Sequence, residues 1–509
     1  MSTFEKLNEL NTRRSKIEMG GGKDSIVKNP KGKLLARQRI KVFLDTNSFV
    51  EVGAFVTHRD TSFNLPKKET PADGVVTGFG TVDGRLVYVY SQDATVLGGS
   101  IGEMNAKKVG NIYEQALKMG APVIGILDST GVRLQEGLDS LAGYGEIFKY
   151  QSLASGVIPQ ISLVLGNSLG INSFIPALSD FVFMEQVSSK MFLNSPNTIN
   201  GMEGKLTTFE QVGSAKTHSE NSGLADFIFE SDHTCLEAVR NLIGFLPANN
   251  LEDAPLYAMA DDLNRVDESL NTIILSDEER FNVKAVISSI SDNGRFLEIK
   301  KEYAKNIVIG FARFNGYTVG IVANQSLEDK GQLDIKACDK AAGFINFCDA
   351  FNIPIITLTD TVGYKATLDE QINGITKAAA KLMHAFSNAT VSKINVIIRQ
   401  AFGSSYMIMN SKHIGADMVY AWPNAQISIM DPEAAISVMY ADELKAEDKD
   451  NKISDYRQNQ ASPYTAAKRG YIDDIIEPAL TRKYLIVALE MLESKRETRP
   501  AKKHSSISL

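Results

Sequence analysis

The stretch PVIGILDSTGVRLQEG, Pro122 to Gly137, decides how the rest of the chain is read. An apolar run rises, breaks at Asp128, passes through Ser129, Thr130 and Gly131, and leaves in a charged, helix-like tail. A strand that ends in a small polar loop ahead of a helix is where α/β proteins hold ligands. No histidine, cysteine or phosphate-loop lysine stands beside this loop.

The chain then says the same thing again. DGRLVYVYSQD, APVIGILDSTG and SGVIPQISLVLGNSLGINS in the first half answer to NGYTVGIVANQ, IPIITLTDTVG and ATVSKINVIIRQAFGSSYM in the second. Gly84 and Gly316, Lys108 and Lys340, Pro122 and Pro354, Asp128 and Asp360, and Gly131 and Gly363 all stand 232 positions apart. Gly170 and Gly403 stand 233 apart, so one residue was gained in between. Two unrelated α/β domains would share strand–loop–helix grammar, but not one steady offset. The period is far too long for a solenoid repeat, so two whole domains related by internal duplication are expected.

Within each half, apolar runs alternate with helical periodicity. RLVYVYSQ, PVIGILD, QISLVLG and DFVFM read as strands, and TVGIVAN, PIITLTD, INVIIRQ and DMVYAWP mirror them. GEMNAKKVGNIYEQALKMG and SLAGYGEIFKYQSLA read as helices, as do ACDKAAGFINFCDAF and QINGITKAAAKLMHAFSNA. Alternation of this kind gives layered α/β architecture with right-handed crossovers. The expected division is 1–250, a Pro/Asn/Asp-rich linker at 251–271, and 272–509, with a polar, basic surface tail at the end.

Composition narrows the function. The 509 residues are 43% hydrophobic and 23% charged, which is ordinary globular composition. A net charge of −7 argues against nucleic acid as the main partner. Cys235, Cys338 and Cys348 are sparse and scattered, which predicts no disulfide framework, a reducing cytoplasmic compartment and no metal site. The first residues lack a signal-peptide core, and no run of about 18 apolar residues occurs.

In each half a small-residue turn opens a helix after the strand that follows the Asp-x-x-Gly loop: NSLGINS around Gly170 and FGSSYM around Gly403. Such glycines either permit tight turns or let a ligand approach backbone N–H groups closely. A helix start adds unpaired donors and positive dipole character. Donors converging on one oxygen make an oxyanion hole, suited to an enolate. The expected catalytic positions are therefore Gly131, Gly170 and Ile171 in the first half, and Gly363, Ser404 and Ser405 in the second. Val132, Tyr364 and Gly403 are expected to contact substrate. Lys107 and Lys108 are read as a solvated helix face or a phosphate contact. EQALKMGAP, which has a biotin-attachment flavour at Lys118, is rejected because it ends a helix mid-domain.

Several longer phrases carry a resemblance: GKLLARQRI (32–40), DATVLGGSIGEM (93–104), LAGYGEIF (141–148), SGVIPQISLVLG (155–166), FCDAFNIPI (347–355), VYAWP (419–423), SPYTAAKRGYIDDIIEP (462–478) and KRETRPAKKH (495–504). They resemble the carboxyltransferase subunits of biotin-dependent acyl-CoA carboxylases and decarboxylases, most of all the methylmalonyl-CoA decarboxylase α and propionyl-CoA carboxylase β subunits. The resemblance implies two tandem crotonase-like (ClpP/crotonase) α/β domains in a homo-hexamer whose active site lies between subunits. It implies acyl-CoA on the N-terminal domain and biotin, borne by a separate biotin carboxyl carrier protein, on the C-terminal one. It implies transfer of a carboxyl group between biotin and the α-carbon of a short acyl-CoA, first of all methylmalonyl- or propionyl-CoA. A biotin carboxylase or a membrane decarboxylase subunit is the further partner implied, and with the latter a cytoplasmic protein held peripherally at the membrane. The alternatives are a β subunit of an ATP-dependent acetyl- or propionyl-CoA carboxylase, and a low-activity scaffold paralogue with altered holes. The resemblance also implies substrate contacts for Arg133, where the family has an arginine, and for Met407, at a position that helps set acyl preference, with a structural ion pair and core packing as their respective other readings. Against the family's phrasing the chain departs at Thr130, at Ile171 (the second residue of a Gly-Gly pair), at Thr361 and Tyr364, and at Ser404.

Overall fold

The computed structural model describes residues 2–27, 32–59, 63, 65–258, 261–273, 280–440 and 446–506. It divides into two compact units, Met1–Asp253 and Ala254–Leu509. Residues 259 and 260 of the expected linker, and 507–509 of the expected tail, lie outside the described residues.

Unit 1 is built on an eight-stranded sheet of β1 (Val50–Val52), β2 (Val75–Val82), β3 (Arg85–Gln92), β4 (Val123–Ser129), β5 (Gln160–Leu169), β6 (Phe181–Glu185), β7 (Lys190–Phe192) and β8 (Phe227–Phe229). The order is β1-β2-β3-β4-β5-β6-β8, with β7 paired to the far end of β5. Unit 2 carries β9 (Phe296–Ile299), β10 (Ile307–Phe314), β11 (Tyr317–Asn324), β12 (Ile355–Thr361), β13 (Lys393–Phe402), β14 (Met418–Ala421), β15 (Gln426–Ser428) and β16 (Asp474–Ile475). Its order, β9-β10-β11-β12-β13-β14-β16 with β15 on β13, is the same path. Register is also conserved between the units. Tyr88 faces Val123 where Gly320 faces Ile355, and Val123 faces Gln160 where Ile355 faces Lys393.

The inner strands β4 and β12 are buried at every position, because helices cover the sheet and leave no polar face to alternate. The helix Glu103–Met119 turns Ala106, Val109, Ile112, Tyr113 and Ala116 inward, and Ile335–Ala350 turns in Ala337, Cys338, Ala341, Ile345 and Cys348. Both helices are left through a residue at positive φ, Gly120 at 61° and Asn352 at 55°. Lys118 sits in the last turn of the first helix, 2.6 Å from Glu114.

Lys108 is neither solvated nor placed for a phosphate. It is buried, and its ammonium donates to the carbonyls of Ala72 (2.8 Å) and Val75. Its counterpart Lys340 does the same for Tyr303 and Ile307, both at 2.7 Å. Each lysine gathers the carbonyls that lead into the hairpin β2–β3 or β10–β11. Burial pushes both ammonium groups down to about 7. The basic tail lies on the surface of unit 2 but is tied down: Lys495 donates to Asp417 (2.8 Å) and the Val391 carbonyl, and Arg499 to that of Ala389.

One pair of equivalent carboxylates is treated differently by the two units. Asp180 accepts from the Gln160 N–H at 2.8 Å, as Asp417 accepts from Lys393 N–H. Asp417 has Lys495 beside it, whereas desolvation, reinforced by the charge of Asp226, pushes Asp180 up to about 7. The folded chain thus keeps a proton that the unfolded chain releases near pH 4, so this group lowers stability as pH rises from about 4 to 7. Asp180→Asn, which retains the acceptor for Gln160, is expected to raise the urea midpoint at pH 8 and to raise it less at pH 5.5.

Candidate active site

In both units the site is organised by the carboxylate that ends the apolar run. At Asp128 and at Asp360 the parallel register slips, between Leu127 and Ser129 in one case and Thr359 and Thr361 in the other. A bulge at this point frees the aspartate to bond sideways. Asp128 Oδ1 accepts from the Asn167 N–H (3.2 Å) on β5, and its own N–H donates to Gln92 Oε1 (3.0 Å) on β3. Asp360 repeats this with Gln400 N–H (3.1 Å) and Asn324 Oδ1 (3.2 Å). One side chain and one amide therefore stitch three strands at the end where the loops emerge.

A buried carboxylate needs a counter-charge, and the two units find it differently. Asp360 is met by Arg399 of the next strand, Nη2 at 3.1 Å. The position equivalent to Arg399 is Gly166, where a Cβ would stand 2.1 Å from Asp128 Oδ1. Asp128 instead receives Lys33 (2.7 Å) and Arg39 (3.2 Å) from the N-terminal segment. Arg39 lies on the helix Ala36–Phe43, is 1% exposed, and also holds Asp232 (2.9 Å) and the Leu165 carbonyl (2.6 Å).

Two loops then close on the stitched strands. The turn after β3 passes through Leu97, Gly98 and Gly99, and that after β11 through Asp329, Lys330 and Gly331, all six at positive φ. Gly99 and Gly331 are required for space as well: a Cβ would fall 2.1 Å from the Asp128 carbonyl oxygen and 2.2 Å from that of Asp360. These turns hold the Asp-x-x-Gly loops by short parallel bridges, Ile101 to Val132 and Leu333 to Tyr364. Ile101 N–H donates to Gly131 O and Arg133 N–H to Ile101 O, both 2.9 Å; Leu333 and Lys365 repeat the pattern.

The bridges decide which amides are available. The Gly131 N–H donates to Ser129 Oγ (3.0 Å) and the Gly363 N–H to Thr361 Oγ1 (3.3 Å). Among the described residues nothing accepts from the N–H of Val132 or Tyr364, one position further on. The second turn supplies more donors. Gly170–Ser173 and Gly403–Ile408 are short helices whose first N–H groups have no intrahelical acceptor. Gly170 (φ 60°) and Gly403 (φ 63°) carry the left-handed backbone there; Ile171 and Ser404 do not, so side chains at those departures add no backbone strain. Space beside Gly170 is open, while a Cβ on Gly403 would come within 3.1 Å of Ile429 O. Ile171 and Val132 are half-buried against the core, Ser404 is exposed, Ser405 is buried with its hydroxyl on Phe402 O (2.7 Å), and Met407 is half-buried.

Arg133 is fully buried, 2.7 Å from both Asp73 and Glu136, so its guanidinium faces inward. The residues that shape the site but were not expected from sequence are Gln92 and Asn324, Gly99 and Gly331, Lys33, Arg39, and Asn172. The Asn172 amide is buried among Gln92, Tyr144 and Ser168 under the Gly170 turn. Gln92/Asn324 and Gly99/Gly331 keep the offset of 232 and were open to detection by it.

Each of the two duplicated α/β units thus carries paired amide turns at its strand ends. Residues 27–507 match the Carboxyl transferase domain family, and the chain belongs to that family. It is 45% identical over 516 residues to the carboxyltransferase subunit of propionyl-CoA carboxylase from Haloferax mediterranei, covering 100% of both chains. It is 47% identical over 507 residues to the α subunit of methylmalonyl-CoA decarboxylase from Veillonella parvula, covering 99% of both. The structure of transcarboxylase 12S, described as a hexamer with methylmalonyl-CoA and methylmalonic acid bound, superposes with a TM-score of 0.98 at 43% identity, over 100% of this chain and 99% of that one.

The Arg39 clamp is testable by stability. Arg39→Met leaves Asp128 and Asp232 without their shared guanidinium, and the expected loss is about 3–5 kcal/mol by urea unfolding. A loss below about 1 kcal/mol would show that Lys33 alone suffices.

Proposed function

We propose that the chain transfers a carboxyl group between biotin, borne on a separate carrier protein, and the α-carbon of methylmalonyl-/propionyl-CoA. The observation that carries this reading is the duplicated set of amides: Val132 N–H with the Gly170–Ile171 turn, and Tyr364 N–H with the Ser404–Ser405 turn. Loss or gain of a carboxyl group at the α-carbon places negative charge on the thioester oxygen. Fixed N–H donors aimed at that oxygen stabilise the charge without reorganising. In unit 1 the donors sit beside apolar side chains, which suits an acyl thioester. In unit 2 they open onto an exposed serine, which suits the carbonyl oxygen of a cyclic urea. Biotin would supply the ureido nitrogen that gives or receives the carboxyl group.

The relatives' names include both carboxylase and decarboxylase subunits, so the same chemistry serves either direction and the partner subunits set it. We assign a homo-oligomer, a hexamer by likeness to transcarboxylase 12S, working with a biotin carboxyl carrier protein and with either a biotin carboxylase or a membrane decarboxylase subunit. Among the described residues no helix is long and apolar enough to cross a membrane.

The purified full-length chain, mixed with methylmalonyl-CoA and free biotin, is expected to release propionyl-CoA in a biotin-dependent manner, followed by chromatography of the CoA esters. No product, together with no binding of methylmalonyl-CoA by calorimetry, would assign a scaffold role instead.

A further inference from the structure

The duplication allows the two donor sites to be compared position by position. Their backbones agree: the same parallel bridge fixes Val132 and Tyr364, and the same left-handed glycine precedes Ile171 and Ser404. Their side chains do not. The first site carries Val132 and Ile171, both apolar, half-buried and packed on the core of unit 1. At the same two positions the second site carries Tyr364, half-buried, and Ser404, exposed, each bearing a hydroxyl. An unchanged backbone does not call for this exchange. The polarity at two positions, changed together, follows what each site meets.

We infer that Tyr364 and Ser404 are ligand-binding residues of the second site, their hydroxyls donating to a ligand that combines a cyclic urea carbonyl with a carboxylate. Val132 and Ile171 are the matching apolar wall that admits a short acyl chain at the first site. The inference rests on the carboxyltransferase reading above and extends it by saying which side chains tell the two substrates apart. A hydroxyl beside acceptorless amides adds a donor without disturbing them, and a hydrogen bond to a charged acceptor is worth more than one to a neutral partner. The Val–Ile pair offers no such donor.

The test uses the full-length chain with free biotin and methylmalonyl-CoA as the varied substrates. Tyr364→Phe and Ser404→Ala are each expected to raise KM for biotin by about fivefold, the factor that follows from losing one hydrogen bond to the neutral urea carbonyl. KM for methylmalonyl-CoA is expected to stay within about twofold of wild type, a split that a general structural defect would not produce. Ser404→Thr, which restores a hydroxyl, is expected to return KM for biotin toward wild type. Ile171→Gly is expected to raise turnover of ethylmalonyl-CoA relative to methylmalonyl-CoA. An active wild type whose Tyr364→Phe and Ser404→Ala variants move neither KM, or move both equally, overturns the inference. An inactive wild type overturns the reading beneath it.

Discussion

A carboxylate buried where three parallel strands end is what the rest of this structure depends on. Asp128 and Asp360 each hold the amide of the next strand and present their own amide to the preceding one. That fixes the spacing of the two loops whose N–H groups form the site. The arrangement is expensive unless each charge is matched, since an uncompensated buried carboxylate is destabilising by several kcal/mol. The geometry of the backbone donors is thus held by a buried ion pair.

The two copies solve the charge problem with different parts of the chain. In unit 2 the cation is local, Arg399 on the adjacent strand. In unit 1 the strand position is Gly166, and the cations arrive on the N-terminal segment as Lys33 and Arg39. That segment is bound into the first unit for this reason: Arg39 also satisfies Asp232 at the start of the helix Asp232–Ile243, joining both ends of the unit at one guanidinium. Arginine suits the task, because its planar fork reaches two carboxylates and a carbonyl at once.

How much of this was legible in the sequence follows from the same physics. The central strands and the helices that cover them were readable, because full burial writes continuous apolar runs and a helical face writes a spacing of three and four. The duplication exposed the loops and turns through a constant offset. The amide actually left open was harder. Gly131 and Gly363 stand out as letters, yet their N–H groups bond to Ser129 and Thr361, and it is the bridges to Ile101 and Leu333 that leave the next residue's amide without an acceptor. Arg39 was out of reach for a different reason. Its partner Asp128 is 89 residues away, and no local pattern records a contact made across that separation.

On the proposed reading, in which the reacting charge is met by backbone N–H groups, side chains at the site are free to vary so long as the glycines that bear positive φ remain. Gly170 and Gly403 do remain, at 60° and 63°, while the neighbouring residues have become isoleucine and serine. A site made from side-chain donors could not change residues at the reacting oxygen and keep its chemistry. One made from main chain can be copied, and each copy can then be given a lining of different polarity with the donor geometry unaltered. On that reading, duplication followed by such divergence lets one fold hold two unlike carbonyl compounds by the same contacts.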